Sequence, residues 1–276
     1  MIRILLGLDD TPASLNAEDI AFALVAASGG AITGIGVIDN QRLAPAESTG
    51  IAGAEAKAHR DAVVIARARE HLSLAAERFT ARGAAAGVDC RVKLVEADAI
   101  EALIVAAQVH DLIVLGRDTH FAALGHETVS PLVERFLKAN PRPFVVAPEK
   151  PQQGSRTLVA YDGSLPAMRS LQLFCLMHLS RQKDATVVSV DANPAVATSR
   201  CADAIAFMEP YGFNSRAHAI KSDSAAAEAI TSTALAMGAS LIVMGAYGHN
   251  PIRRLFMGST THRLLVESNV PLFIHH

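Results

Sequence analysis

The sequence predicts an α/β protein made of two tandem Rossmann-like domains, each built on an open parallel sheet. Three observations lead to this prediction: the chain resembles itself, short β-branched runs alternate with helix-compatible stretches, and a segment of linker composition separates the halves. The length of 276 residues suits two domains of roughly 100–200 residues each. The linker, Pro148–Ser155, places the expected domains at residues 1–150 and 151–276.

The internal repeat is marked by strand-like runs that end in the same residue types. Asp9 follows one such run in the first half, and Asp162 follows its counterpart in the second. Gly116 and Gly245 end a second pair of matching runs. The second copy is shorter between these two landmarks, where the first copy contains the Ala-rich and charged segment Gln41–Leu74. This segment is expected to form a longer loop and helix, which either covers the first-half site or reaches a partner.

In the second half, apolar runs alternate with stretches that suit helices. Strands without polar alternation are typical of a parallel sheet that is covered on both faces, and such sheets bind ligands at the carboxyl ends of their strands. The expected strands are Thr157–Ala160, Thr186–Val190, Arg216–Ile220, Leu241–Met244 and Leu272–Ile274, and the expected helices are Pro166–Ser180, Ala202–Tyr211, Ala225–Met237 and Thr261–Glu267.

In the first half, two local patterns predict where elements begin and end. Asp98, with Glu101 three residues later, is typical of a helix start. The uncharged stretch Ile20–Ile38 contains Ser28-Gly29-Gly30, so it predicts a helix end, a turn and a buried strand rather than a membrane span.

Composition excludes several classes of protein. The net charge of −2 and the 5% aromatic content, with no Trp, argue against a nucleic-acid binder. Three distant cysteines without a C-x-x-C pair indicate neither a disulfide framework nor a zinc knuckle, and are expected to be buried small residues in a reducing cytoplasm. The first ten residues are too short an apolar run for a signal peptide, and no membrane association is expected.

A glycine pattern after the strand Leu241–Met244 carries the functional prediction. Gly245 is followed by Gly248, and Gly258-Ser259 comes nine residues later, directly before a helical stretch. Glycines let backbone amides approach an anion, and a helix start points free N–H groups at it. The pattern therefore predicts a phosphate site, although it is not a Walker A loop, because the chain contains no Gly-Lys pair.

The spacing Gly-x2-Gly-x9-Gly-Ser, together with the opening Asp162-Gly163-Ser164, resembles the nucleotide-binding branch of the universal stress protein family. The resemblance covers both halves and implies the family's fold, which is similar to that of the adenine nucleotide alpha hydrolases. It implies bound ATP, or ADP or AMP, with Mg²⁺ on the phosphates. The residues that it assigns to the nucleotide are Tyr161 and Asp162 at the adenine and ribose end, Val190 through its backbone, Met244 at the strand end, and Gly245, Gly248, Gly258, Ser259, Thr260 and Thr261 around the ribose and phosphates. An alternative role for Asp162 is to cap the helix that follows it.

The first copy departs from this pattern. Thr119 and Val129 stand where the second and third glycines would be, and Pro131 removes an N–H group. The first half is therefore not expected to bind ATP in the family's manner. Two histidines near this loop, His120 and His126, are expected to be solvated surface residues rather than metal ligands.

The resemblance implies a cytoplasmic stress-response regulator whose nucleotide, held in the second half, controls an unidentified protein partner. It also implies an internal pseudo-dimer in which Phe144–Ala147 meets Leu272–Ile274, and it allows a homodimer. No catalytic residue is assigned. Two alternatives remain: a slow ATPase at the same site, and a module that binds small ligands or proteins without nucleotide.

Overall fold

The computed structural model describes residues 1–46, 51–121, 128–222, 226–246 and 258–276. The chain divides into two compact units, one formed by residues 1–25 and 30–140 and the other by residues 26–29 and 141–276. This division follows contacts in space, whereas the domain boundary after residue 150 follows the repeat in the sequence and stays a prediction.

The first unit is a parallel sheet in the order β3-β2-β1-β4, with helices in the connections. The helix expected between β2 and β3 is present as the long helix α3, which follows the short helix α2. The elements are β1 (Ile2–Gly7), α1 (Pro12–Ser28), β2 (Gly30–Ile38), α2 (Asn40–Leu43), α3 (Ile51–Ala86), β3 (Asp89–Glu96), α4 (Ala99–Ala107), β4 (Leu112–Gly116) and α5 (Pro131–Ala139).

The second unit repeats this order, and its sheet runs β5-β10-β9-β6-β7-β8. All of its strand pairs are parallel except β5 with β10. The elements are β5 (Phe144–Ala147), β6 (Arg156–Ala160), α6 (Leu165–Leu176), β7 (Asp184–Asp191), α7 (Pro194–Met208), β8 (Asn214–Lys221), α8 (Ala226–Met237), β9 (Ala239–Gly245), α9 (Ser259–Glu267) and β10 (Leu272–His275), with a short 3-10 turn at Glu209–Tyr211.

The predicted meeting of the two C-terminal strands is confirmed. Strand β5 pairs with β10 in antiparallel register, with Val145 opposite Phe273. Both strands are almost entirely buried. By its contacts β5 belongs with the second unit, although it ends the first sequence repeat.

Local sequence signals account for most helix ends. Asp98 caps α4 by accepting a hydrogen bond from the Glu101 N–H at 2.9 Å, as expected for a helix start. Gly29 has a φ of +70° and ends α1 before the buried strand β2, so the helix, turn and strand expected over Ile20–Ile38 are confirmed. No helix within the described residues is long and apolar enough to cross a membrane.

Two helix bounds in the second unit differ from the expectation more than the others do. Helix α7 begins at Pro194, eight residues before Ala202, because the Asn193 side chain accepts from the Ala195 N–H at 3.0 Å and proline suits the first helical position. Helix α6 ends at Leu176 rather than Ser180 because His178 takes a φ of +51°, which a continuing helix does not allow.

Candidate functional site

The candidate site of the second unit lies where three neighbouring parallel strands end. Strand β6 lies between β9 and β7, and Ala160 is level with Met244 on one side and with Val188 on the other. The residues that follow Ala160, Met244 and Val188 in their chains therefore lie at the same edge of the sheet, where the three strands end. This edge brings together Asp162, Val190 and Gly245, three of the residues predicted to contact the nucleotide.

The turn between β6 and α6 is closed by its own polar groups. Gly163 has a φ of +75°, a conformation that favours glycine. The Asp162 Oδ1 atom accepts from the Ser164 N–H at 2.9 Å, and the Ser164 Oγ atom accepts from the Ala167 N–H at 3.3 Å. Ser164 is thus the N-cap of α6, and the alternative in which Asp162 caps this helix is wrong.

Tyr161 precedes this turn and is buried, with 9% of its surface exposed. Burial raises the pKa of its phenol, and the nearby carboxylates Asp203 and Asp162 raise this pKa further. The phenol therefore stays protonated and presents a neutral hydroxyl and ring at the strand end. Val190, at the end of β7, is half-buried and lies level with Ile220 of β8.

A residue that the sequence analysis missed lies between the ends of β6 and β7. Arg200 of α7 donates from Nη1 to the Asp191 carboxylate at 2.7 Å. Its Nε atom lies 3.3 Å from where a Cβ atom of Gly163 would be, so the side chain packs on the glycine backbone. No spacing signal points to Arg200, because the contact depends on how α7 packs against the sheet.

The first glycine of the predicted motif has a packing role. A Cβ atom at Gly245 would lie 2.4 Å from the Ala167 backbone nitrogen, so only glycine lets β9 end against the start of α6. In the first unit, a Cβ atom at Gly116 would lie 2.4 Å from the Ser14 backbone nitrogen. Since both copies need this glycine for the same helix contact, Gly245 is explained without a ligand. Met244 is also a core residue, with 4% of its surface exposed.

The start of α9 is different, because no described residue near Gly258 requires a glycine there. Gly258 is the N-cap, with a φ of −59°, and among the described residues a Cβ atom there would meet only the Thr261 Oγ1 atom, at 3.9 Å. No side chain of the described residues caps this helix. Ser259 is exposed, Thr260 is half-buried and Thr261 is buried, so hydroxyl and backbone donors gather at this end. Gly248 lies outside the described residues.

In the first unit, the equivalent aspartate is enclosed. Asp9 is 1% exposed, and its Oδ2 atom accepts from the backbone N–H groups of His120 at 2.9 Å and Phe121 at 2.7 Å. Burial raises the pKa of Asp9, but hydrogen bonds from the His120 ring and backbone outweigh burial and hold this pKa below its ordinary value. The His120 Nδ1 atom lies 3.3 Å from the same oxygen, and this contact raises the pKa of His120.

The loop after β4 fills the rest of the first-unit site. The Asp118 carboxylate accepts from the Thr11 hydroxyl at 2.7 Å and from the Ala13 N–H at 3.4 Å, at the start of α1. Thr119 is fully buried, and its hydroxyl lies 2.9 Å from that of Ser14. The first copy therefore places its own carboxylate and hydroxyl groups at the carboxyl ends of its strands.

Helix α3 covers this end of the first unit. The His71 Nδ1 atom lies 3.1 Å from the Asp10 carboxylate, and Arg78 donates to the Asp9 carbonyl at 3.2 Å. Of the two possibilities for Gln41–Leu74, the part that carries His71 therefore lies over the first-half strand end.

The expectation that His120 is a solvated surface residue is wrong, since its side chain is 17% exposed and paired with Asp9. His126 lies outside the described residues. Within the described residues, no group of three or more His, Cys, Asp or Glu side chains could hold a metal ion. Cys175 and Cys201 are buried as expected, but Cys90 is only half-buried. Burial raises the pKa of Cys175 to about 11, so this thiol stays protonated.

The fold and these strand ends define an α/β protein with two copies of one Rossmann-like unit, of which the first is filled by its own side chains. The family model described as the universal stress protein family matches residues 1–124 and 214–276. The chain therefore belongs to the universal stress protein family.

Individual relatives agree with this membership. A universal stress protein from Synechocystis sp. is 30% identical over 166 residues, which are 59% of this chain and 56% of the relative. The alignment thus spans little more than half of that relative's length. A universal stress protein of Archaeoglobus fulgidus DSM 4304 has a similar structure over 99% of this chain and 97% of its own, with a TM-score of 0.69 and 19% identity. A protein of Pseudomonas aeruginosa UCBPP-PA14, provisionally assigned to the same family, has a TM-score of 0.60 and 15% identity over 100% of this chain and 93% of its own.

Proposed function

We propose that this universal stress protein is a cytoplasmic regulator that binds ATP, or ADP or AMP, in its second unit. Occupancy of that unit biases which protein partner the chain binds. Such a switch works only if the nucleotide binds one conformation more tightly than the other. The first unit, in this proposal, binds no nucleotide.

The observation that carries the proposal is the contrast between the two helix starts that follow β4 and β9. In the first unit, the Ser130 hydroxyl accepts from the Leu132 N–H at 3.3 Å, and Pro131 removes another donor from α5. In the second unit, α9 begins at Gly258, with no described side chain on its first N–H groups. These N–H groups and the positive end of the helix dipole attract an anion such as phosphate.

The remaining predicted residues suit the other end of a nucleotide. Asp162 at the end of β6 can accept hydrogen bonds from an amino group, as adenine N6 offers. Val190 is half-buried at the end of β7, where its backbone groups are near the strand edge. Adenine and phosphate would thus be held at separate strand ends of one sheet.

A magnesium ion fits this site only if the phosphate oxygens of the nucleotide supply its ligands. The described residues offer no cluster of carboxylates for it, but Mg²⁺ usually keeps several waters and binds through phosphate oxygens with few protein ligands. The Ser259 and Thr260 hydroxyls are the described groups that would lie near it. When bound, the ion would neutralise phosphate charge.

The test is Gly258→Asp, with binding of ATP-Mg²⁺ measured by calorimetry. An Asp at this N-cap meets no steric obstacle among the described residues and can cap α9, so the melting temperature should be unchanged or slightly raised. Its charge should repel phosphate and weaken binding by a factor of about 100 or more, since like charges near 4 Å cost about 4 kcal/mol at a partly screened site. Gly258→Ser, which caps without charge, is the matched control and should keep most of the affinity.

Nucleotide released from denatured wild-type protein identifies the bound species. A bound nucleotide that is turned over would favour the slow ATPase instead of the regulator. Equal affinity in wild type and Gly258→Asp would place the nucleotide elsewhere. No release and no binding would refute the nucleotide proposal and favour a module that binds proteins or other small ligands.

A further inference from the structure

Toward the described residues, Arg200 uses one of its donor atoms at the edge of the candidate site. A guanidinium carries five N–H donors. Within the described part of the chain, Arg200 uses one atom, Nη1, to reach Asp191, while its side chain is only 23% exposed. A largely buried group with unused donors at a strand end is a candidate for contact with a ligand.

Arg200 contacts residues that lie at the ends of two neighbouring strands. Gly163, on which its Nε atom packs, directly follows Asp162 at the end of β6. Asp191, which holds its Nη1 atom, directly follows Val190 at the end of β7. Arg200 therefore contacts the residues that directly follow Asp162 and Val190, and the proposed function assigns these two to the adenine.

Two contacts hold the Arg200 side chain at these strand ends: the ion pair with Asp191 and the packing of Nε on Gly163. The same group lies close enough to the Tyr161 phenol to lower its pKa, whereas Asp203 and Asp162 raise this pKa. The guanidinium is therefore held in place by Asp191 and Gly163. A fixed guanidinium can stack on an aromatic base and donate to its ring nitrogens.

We infer that Arg200 is a binding residue that forms the outer wall of the base subsite and contacts the purine, with Asp191 as its positioning residue. This inference rests on the proposed nucleotide function and extends it to a residue outside the glycine pattern. The ligand part that it recognises is the purine nucleoside, not the phosphate chain, because the phosphate donors lie at the start of α9.

The experiment compares Arg200→Ala with wild type for three ligands: ATP-Mg²⁺, adenosine, and inorganic tripolyphosphate with Mg²⁺, each measured by calorimetry. ATP and adenosine should bind about tenfold more weakly to the variant, as expected for loss of a partly desolvated cation–π contact. Tripolyphosphate affinity should be unchanged. Arg200→Lys should recover only part of the loss, because lysine lacks the planar group. Arg216→Ala, which removes an exposed arginine of β8, is the control and should leave all three affinities unchanged.

The outcomes separate this inference from the proposed function. Equal ATP affinity in wild type and Arg200→Ala would overturn the role of Arg200 and leave the nucleotide site standing. An equal loss for tripolyphosphate would also overturn it, since it would indicate a general disturbance of the unit. Wild-type protein that binds none of the three ligands would overturn both proposals.

Discussion

Asp9 and Asp162 follow equivalent strands, yet their surroundings give them different roles. Asp9 is enclosed by backbone N–H groups and the His120 ring, whereas Asp162 is half-buried in a turn. The difference comes from the loop after β4, where Asp118 and Thr119 bond to the start of α1. Both copies therefore have an aspartate at this position, but the groups that bind Asp9 and Asp162 differ.

The Asp9–His120 pair should make the stability of the first unit depend on pH. Because the pKa of His120 is raised in the folded protein, its contribution is fully present below the ordinary histidine pKa and is lost as pH rises through the raised value. The pKa of Asp9 is lowered, so its contribution is lost only when pH falls through that low value. The pair therefore stabilises the unit most in mildly acidic solution.

His120→Gln is expected to destabilise the protein by about 1–3 kcal/mol at mildly acidic pH, as for a hydrogen bond to a charged group, and by less at mildly alkaline pH. Urea unfolding at both pH values measures the difference. His59→Gln, on the exposed face of α3, is the control and should show no such pH dependence. A difference that stays constant with pH would show that folding does not raise the pKa of His120.

Among the helices, α3 is unusual because it is buried along only part of its length. No residue from Gly53 to Arg67 is buried, whereas Ala68, Leu72 and Phe79 are at most 2% exposed. The buried part packs on β2 and β3 and carries His71 to Asp10. The C-terminal part of α3 is therefore the part that anchors the helix and covers the first-unit strand end.

Two leucines of α3, two positions apart, test whether one face of this part of the helix is buried and the other exposed. Leu72 is 1% exposed and Leu74 is 57% exposed. Leu72→Ala should lower the free energy of unfolding by about 2–5 kcal/mol because it leaves a cavity, while Leu74→Ala should change it by less than about 0.5 kcal/mol. Chemical denaturation of both variants measures this. Similar losses for both variants would contradict the described burial of the helix.

For the molecule as a whole, the assignment of β5 decides where the chain can be divided. The sequence repeat ends after β5, but β5 pairs with β10 and groups with the second unit. Without β5, the apolar strand β10 would present an unpaired edge, which favours association with another strand.

This reasoning predicts different behaviour for two fragments of the second unit. Residues 141–276 retain the pairing of β5 with β10 and should have the higher melting temperature, whereas residues 151–276 lack it and should be less stable and associate through β10. Light scattering coupled to size-exclusion chromatography measures the mass of each. Two monomeric fragments of equal melting temperature would show that β5 is dispensable and would support the boundary after residue 150.

Much of this architecture was predictable because its signals are local. Apolar runs, the Asp98 cap and the Gly29 turn depend on neighbours a few residues away, so they indicated the strands, the helix start and the parallel sheet. The repeat and the glycine spacing were likewise visible without coordinates, and the family to which they pointed is confirmed. The early start of α7 was missed although Asn193-Pro194 is a local signal for it.

The contacts that distinguish the two candidate sites depend on packing between distant segments. Whether Gly245 faces a ligand or a helix is decided by how closely β9 approaches α6. Arg200 reaches Gly163 only because α7 packs on β7 and β8. The filling of the first site by Asp118 and Thr119 likewise joins residues more than 100 positions apart. Residue order carries local propensity and periodicity, but such long-range approaches arise from the packing of whole elements, and the spacing of residues does not encode them directly.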